Sequence, residues 1–203
     1  SADLPAWTSP KDCFSRDVVE TDPYAERMAL ACSGHEAAAD PNRSGVDRAT
    51  AYFNAAAGFN LLGAGSTTSV ACETSGACYQ FALTLIEKSF VNQEDDLIAK
   101  NNAASIKDAY ARFILRRRLV QARALAGAAR SGSLSCPEPD QCLRAASDAL
   151  ATQDLAGLAS RTDAPIADIA CQALDLNVQI NQLRGADQEH AVVSDLRQIM
   201  RHC

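Results

Sequence analysis

Apolar and polar positions along the chain recur with the period of a helix, not the alternation of a strand. Alanine and leucine supply most of the apolar positions, and β-branched residues are sparse. Residues 1–22 read as irregular, punctuated by Pro5, Pro10, Asp12 and Asp22. Pro23 suits a first helical position, with Thr21 or Asp22 as cap, and opens a helix to about Ala39. Asp40-Pro41-Asn42 ends it. Ser44 caps a second helix to about Leu62, where Gly63 and Gly65 are expected to stop it. A third helix is predicted over Cys78–Val91, broken by Asn92 and Gln93. A long helical stretch, straight or bent, covers Asp95–Ala129, and Gly132 opens the next loop. Shorter helices follow at Gln141–Leu150, Leu155–Ser160, Pro165–Leu183 and Asp187–Arg201. The pattern predicts one all-α domain over residues 1–203. Its parts are a first helical unit at 23–92, a second at 93–151 and C-terminal helices at 152–203.

Composition narrows the class. The chain has 203 residues, 47% of them hydrophobic and 22% charged, which is enough apolar chain to bury a core and too much for a disordered segment. There are 39 alanines, which favour helices packed closely together. The formal net charge of -6 argues against general nucleic-acid binding, which needs cations to neutralise phosphates. No apolar run is long enough to span a bilayer.

The eight cysteines change the picture most. Cys72 and Cys78 bracket ETSGA, and Cys136 and Cys142 bracket PEPDQ. Both are short polar loops with turn residues, which bring their ends together easily. Sequential pairing of the rest gives Cys13–Cys32 and Cys171–Cys203. Zinc sites favour a C-x2-4-C spacing, usually with more Cys or a well-placed His, and His35, His190 and His202 lie near neither pair. Redox catalysis usually uses C-x-x-C. Structural disulfides are therefore expected, and with them an oxidising compartment, periplasmic or secreted, in a bacterium. No signal peptide is read at Ser1, so a mature or trimmed form is expected. The sequon Asn42-Arg43-Ser44 bears on the protein only in a source that glycosylates.

A shift of the chain by 64 residues aligns Cys72 and Cys78 with Cys136 and Cys142. At the same shift Leu61, Gly63 and Ala64 meet Leu125, Gly127 and Ala128; Ser69 meets Ser133, and Ala82 meets Ala146. A unit of helix, glycine, C-x5-C loop and helix thus occurs twice. Units that cannot each bury a face must stack, as in a solenoid.

The stretch Ala51–Gly63 resembles the first helix of a tetratricopeptide repeat. Tyr52 falls at the family's large aromatic, Ala55 and Ala56 at its small-residue pair, Phe59 at its next aromatic, and Gly63 at its interhelix glycine. Ala82, Lys88 and Ser89 resemble the second helix. The chain departs from the pattern by the insertion carrying Cys72 and Cys78. The second unit has Arg116 and Val120 where an aromatic and a small residue stand in the family, and Ser160–Cys203 shows no match. The resemblance implies an array of antiparallel helical hairpins that binds a protein or peptide. It further implies groove positions at Phe53, Asn54, Ala57 and Asn60, where Asn can hydrogen-bond a peptide backbone.

Candidate chemistry lies with the cations. At about 100° per residue, Arg112, Arg116, Arg123 and Arg130 fall at about 0°, 40°, 20° and 0° on one helix. Leu119 shares their stripe. Arginine forks bind carboxylates, so Arg112, Arg116 and Arg123, with Phe53, Asn54 and Asn60, form the candidate partner-binding set. The alternative is a solvated face paired with acidic residues elsewhere on the protein.

No catalytic constellation emerges. Glu94-Asp95-Asp96 reads as an N-terminal helix charge. Glu20, Glu36, Glu73 and Glu87 offer carboxylates, but nothing pairs two of them for glycoside hydrolysis. His202 and Cys203 are adjacent and do not face each other on a helix. Trp7 is expected to cover the core as the N-terminal segment folds back. The sequence therefore points to an exported, non-catalytic scaffold or adaptor for a protein or peptide partner, without metal or cofactor. The alternative is a disulfide-stapled inhibitor or immunity-type protein acting through its two C-x5-C loops, since preorganised loops lower the entropic cost of binding.

Overall fold

The computed structural model describes residues 31–34, 37, 40–42, 45–65, 72, 74–91, 104–133, 135–152, 154–161, 164–185 and 189–203. Among these residues the chain is helical and has no strand. A helical stretch at 31–34 precedes α1 (Gly45–Ala64), α2 (Ser75–Val91), α3 (Ala104–Arg130) and α4 (Pro139–Ala151). Then come α5 (Leu155–Ala159), α6 (Ala164–Arg184), α7 (Glu189–Ile199) and a 3-10 turn, Met200–His202. Most of the predicted helix over Pro23–Ala39, the irregular residues 1–22, Cys13, Trp7 and the predicted start of α3 at Asp95 lie outside the described residues.

Helix boundaries follow local hydrogen bonding. Asn42 N–H donates to Asp40 Oδ1 at 2.9 Å, an Asx turn that makes the break before α1. α2 begins at Ser75, ahead of the predicted Cys78, because Thr74 Oγ1 caps it by accepting from Ala77 N–H at 3.1 Å. α4 begins at Pro139, whose missing N–H is harmless in the first turn, so it starts two residues before the predicted Gln141. α3 ends at Arg130, followed by Gly132 at φ 66. There Ser133 N–H reaches back to Ala128 C=O, and a residue with a Cβ would strain this left-handed cap. The C-terminus departs from the predicted helix through Arg201. α7 gives way at Ile199 to a tighter 3-10 turn, which delivers Cys203 to Cys171 with Cα atoms 5.8 Å apart.

Of the two glycines expected to stop α1, Gly65 follows the last helical residue, Ala64, while Gly63 lies inside the helix. Gly63 is there for clearance. A Cβ on it would lie 2.9 Å from Cζ of Tyr79, and a Cβ on Gly127 would fall inside the same ring. Tyr79, 6% exposed, is thus wedged between glycines of α1 and α3. These are two of the residues that match at the 64-residue shift.

The helices pack in antiparallel neighbours. Ser89 Oγ donates to Ala49 C=O at 2.7 Å near one end of α1 and α2, and Tyr79 meets Gly63 near the other. α2 runs against α3 likewise, with Arg117 Nη1 donating to Ser89 C=O at 3.2 Å and Gly76 against Ser133. α1 and α3 run parallel across the gap: Phe53 meets Phe113, and Asn60 meets Val120. α4 and α6 are antiparallel, tied by Ser147 to Asn177 and by Asp140 to Arg184. Alanine permits this closeness. Ala55, Ala56 and Ala82 are 0% exposed in the core shared by α1 and α2, and Ala146, Ala170 and Ala173 are 0% exposed in the second core. α3 belongs to both cores. Val120 and Ala124 enter the first, with Phe59 and Ile86; Leu115, Leu119, Ala122 and Ala126 enter the second, with Leu150, Ile166 and Leu174.

Three disulfides are described. Cys72–Cys78 and Cys136–Cys142 close the two C-x5-C loops, and Cys171–Cys203 fastens the C-terminus to α6. Cys32 is also disulfide-bonded. Its expected partner, Cys13, lies outside the described residues.

Two outcomes test this packing. Gly127→Ala gains helix propensity but drives a methyl into a ring that Gly63 holds from the other side. A net loss of about 1–3 kcal/mol in urea unfolding is expected, and a Tyr79→Leu background should remove most of it. Cys171→Ser/Cys203→Ser opens a loop of 32 residues. It should cost about 3–4 kcal/mol by the chain-entropy relation, against about 2 for either short loop, measured in the same unfolding assay.

Candidate functional site

The faces of α1 and α3 that run side by side leave a pocket of about 490 Å³ where they meet α2 and α6. Ala57, Asn60, Leu61 and Ala64 reach it from α1 at intervals of three and four, one face of a helix. Val120, Arg123 and Arg130 reach it from α3, Tyr79 from α2, and Leu176 and Gln179 from α6. The volume lies within the roughly 300–1,000 Å³ usual for small-molecule pockets. Its walls are mainly aliphatic, and the charged side chains that line it are two arginines.

Each polar group has a definite position. Asn60 is buried, and its Nδ2 donates to Val120 C=O at 2.9 Å, joining α1 to α3. Its Oδ1 accepts no hydrogen bond among the described residues. A buried acceptor left unmet costs about 1–3 kcal/mol. Tyr79 lines the pocket beside Arg130. Burial raises the Tyr79 pKa above the usual 10.0, and the positive charge of Arg130 nearby only partly opposes it, so the phenol is neutral at physiological pH. Arg123 is exposed, yet partial desolvation of its guanidinium lowers its pKa below the usual arginine range. It remains a cation at neutral pH. Gln179 Nε2 donates to Asp175 Oδ2 at 2.9 Å.

The candidate residues divide into two groups. Asn60 and Arg123 meet at the pocket, together with Ala57 and Arg130. Phe53, Asn54, Arg112 and Arg116 do not line it. Phe53 is half-buried, its ring edge-on to Phe113 with centroids 5.7 Å apart. Asn54 and Arg112 are half-buried and Arg116 is exposed. Phe53 lies about 10 Å before Asn60 along α1, from the helical rise per residue. Asn60 commits an N–H to its own fold instead of standing free on a groove. The arginine stripe is interrupted too, since Leu119 between Arg116 and Arg123 is 4% exposed and belongs to the core. Among the described residues, ion pairs join Asp140 to Arg144 and Arg184, and none involves Arg112, Arg116, Arg123 or Arg130.

One side chain lies outside the expectations drawn from the sequence. Arg117, the middle of Arg116-Arg117-Arg118, is 0% exposed. Its guanidinium lies 4.6 Å from the centroid of Phe90 and 4.4 Å from that of Phe113. Arg118 stacks on Phe90 at 4.3 Å and donates to Gln121 Oε1 at 3.0 Å, and burial lowers its pKa. Cation–π stacking and the bond to Ser89 C=O compensate the desolvation of Arg117. A hydrophobic wheel carries only a faint signal of this, an arginine on the apolar side with aromatics nearby in the fold.

The first C-x5-C segment packs, through Gly76, against the turn that leads into the second. Gly76 is buried, and a Cβ there would stand 3.3 Å from Cα of Ser133. Residues 137–141 are exposed, but Asp140 is engaged by Arg144 and Arg184, each at 3.1 Å. Among the described residues no cluster of His, Cys, Asp or Glu could hold a metal, and no helix is long and apolar enough to cross a membrane. No protein-family model matches the chain, and neither a curated protein nor a solved structure is significantly similar to it.

The Tyr79 phenol provides a test of the site's electrostatics. Its folded pKa is raised, so its contribution is complete below about pH 10 and is lost as pH rises through the folded value. Tyr79→Phe removes the buried hydroxyl and its interaction with Arg130, a loss of about 0.5–1.5 kcal/mol at pH 7. The gap between wild type and variant should shrink between pH 10 and 11 in parallel urea titrations. A gap that widens there would mean the tyrosine is not desolvated.

Proposed function

We propose that this protein is an exported, non-catalytic helical scaffold that holds an acidic protein or peptide partner along the α1–α3 face. The observation that supports this reading is the row of arginines on α3. Arg112, Arg116, Arg123 and Arg130 carry no ion pair among the described residues, in a chain whose net charge is -6. A self-neutralised, solvated stripe would need acidic neighbours. Guanidinium groups without internal carboxylates are available for bidentate contacts with carboxylates on a partner. Phe53 and Asn54 belong to the same reading as half-exposed positions on α1.

The disulfides favour an oxidising compartment, and we take it to be the bacterial periplasm or the extracellular space. The two units are read as a degenerate, tetratricopeptide-like duplication. That reading draws on the two C-x5-C disulfides at matching places and on buried residues that match at the 64-residue shift, such as Ala82 with Ala146.

A second reading is an inhibitor or immunity-type protein acting through the two C-x5-C loops, favoured by the packing of the first segment against the turn that leads into the second. A single assay separates the two. Fluorescein-labelled acidic peptides, amidated at the C-terminus, are titrated by polarisation at low salt. Arg112→Glu/Arg116→Glu/Arg123→Glu should weaken binding at least about tenfold, since each charge-assisted hydrogen bond removed is worth about 1.5–3 kcal/mol. Replacing residues 73–77 and 137–141 by Gly-Ser should leave it unchanged. Weaker binding on loop replacement with no effect of the arginine reversals would favour the second reading, and indifference to both would overturn the first.

A further inference from the structure

We infer that the pocket between α1, α3 and α6 is a binding site for a small aliphatic carboxylate. It shares Arg123 and Arg130 with the extended arginine face but not Arg112 and Arg116, which do not line it. Two features converge on that ligand chemistry. The first is charge. Arg123 and Arg130 line the pocket, and among the described residues no acidic side chain lines it and neither arginine has an ion pair. Arg130 lies beside the buried Tyr79, which lines the same pocket.

The second feature is the wall. Ala57, Leu61, Ala64, Val120 and Leu176 are aliphatic, and Leu61 is 44% exposed, a large apolar side chain at the surface beside a cavity of about 490 Å³. Apolar walls with a few convergent polar groups are the usual make-up of a small-molecule site. They suit a short alkyl chain better than a hydrated inorganic anion, which would leave them wet.

The probe is octanoate, titrated calorimetrically into the intact, disulfide-bonded protein. Saturable binding of one equivalent is expected. Its uncharged methyl ester should bind at least about tenfold more weakly. Arg123→Gln/Arg130→Gln should reproduce the weakening seen with the ester. Ala57→Leu, which fills the cavity without touching a charge, should also weaken binding at least about tenfold, with circular dichroism confirming the fold. Arg112→Gln/Arg116→Gln should leave the affinity unchanged. Equal binding of acid and ester, no effect of either pocket variant, or no saturable binding would each overturn the inference. The acidic-peptide reading would survive all three results, because its assay uses amidated peptides and reads Arg112 and Arg116.

Discussion

The Tyr79 ring of α2 is packed against Gly63 of α1 and Gly127 of α3, and the registers of all three helices answer to it. A six-membered ring fits between α1 and α3 because Gly63 and Gly127 have no side chain there. Helices joined in this way cannot slide by a residue, since any other residue at that place would bring a Cβ into the ring. The same residue lines the pocket together with Arg130. One side chain thus serves close packing and the electrostatics of the site together. The conformational freedom of glycine plays no part at either position; both lie inside helices, and what matters is volume.

α3 carries a second constraint, a buried cation. Arg117 fixes the far end of α2 by stacking between Phe90 and Phe113 and bonding to Ser89 C=O. Neighbouring arginines of one sequence run therefore have opposite roles. Arg116 is exposed, Arg117 is fully buried, and Arg118 is half-buried against Phe90. The disulfides act at the ends. Two shape the loops before α2 and α4, and the third returns the last residue to α6. Anchored ends let a chain rich in alanine, whose side chains bury little area each, hold its helices in place.

The pocket follows from these constraints. α1 and α3 run parallel, tied at Phe53–Phe113 and Asn60–Val120, with α2 packed against both. Ala57 and Ala64 are too small to fill the space beside Asn60, and α6 closes only part of it through Leu176 and Gln179. Arg123 and Arg130, on one face of α3, supply the charge. In a protein that is acidic as a whole, this cavity is lined by two cations and, among the described residues, by no carboxylate.

The class of fold, the positions of the helical segments and the pairing of the cysteines with described partners are all legible in the residues alone. They depend on local physics: helical period, alanine propensity, proline and glycine punctuation, and the short reach of a five-residue loop. The matched Gly63 and Gly127 are legible too, although their role is to make room for a ring and not to stop a helix. The arginine stripe is visible on a wheel, but a wheel has no neighbours. Packing settles that Leu119 is core within that stripe, that Asn60 bonds to its own fold, and that Arg123 and Arg130 join Tyr79 around a cavity while Arg112 and Arg116 do not. It also settles that Arg117 is buried, because its partners are aromatic rings from α2 and α3 that meet only when the helices pack. Burial and contact are properties of pairs of segments, and the spacing of residues along one helix cannot state which face another helix will cover.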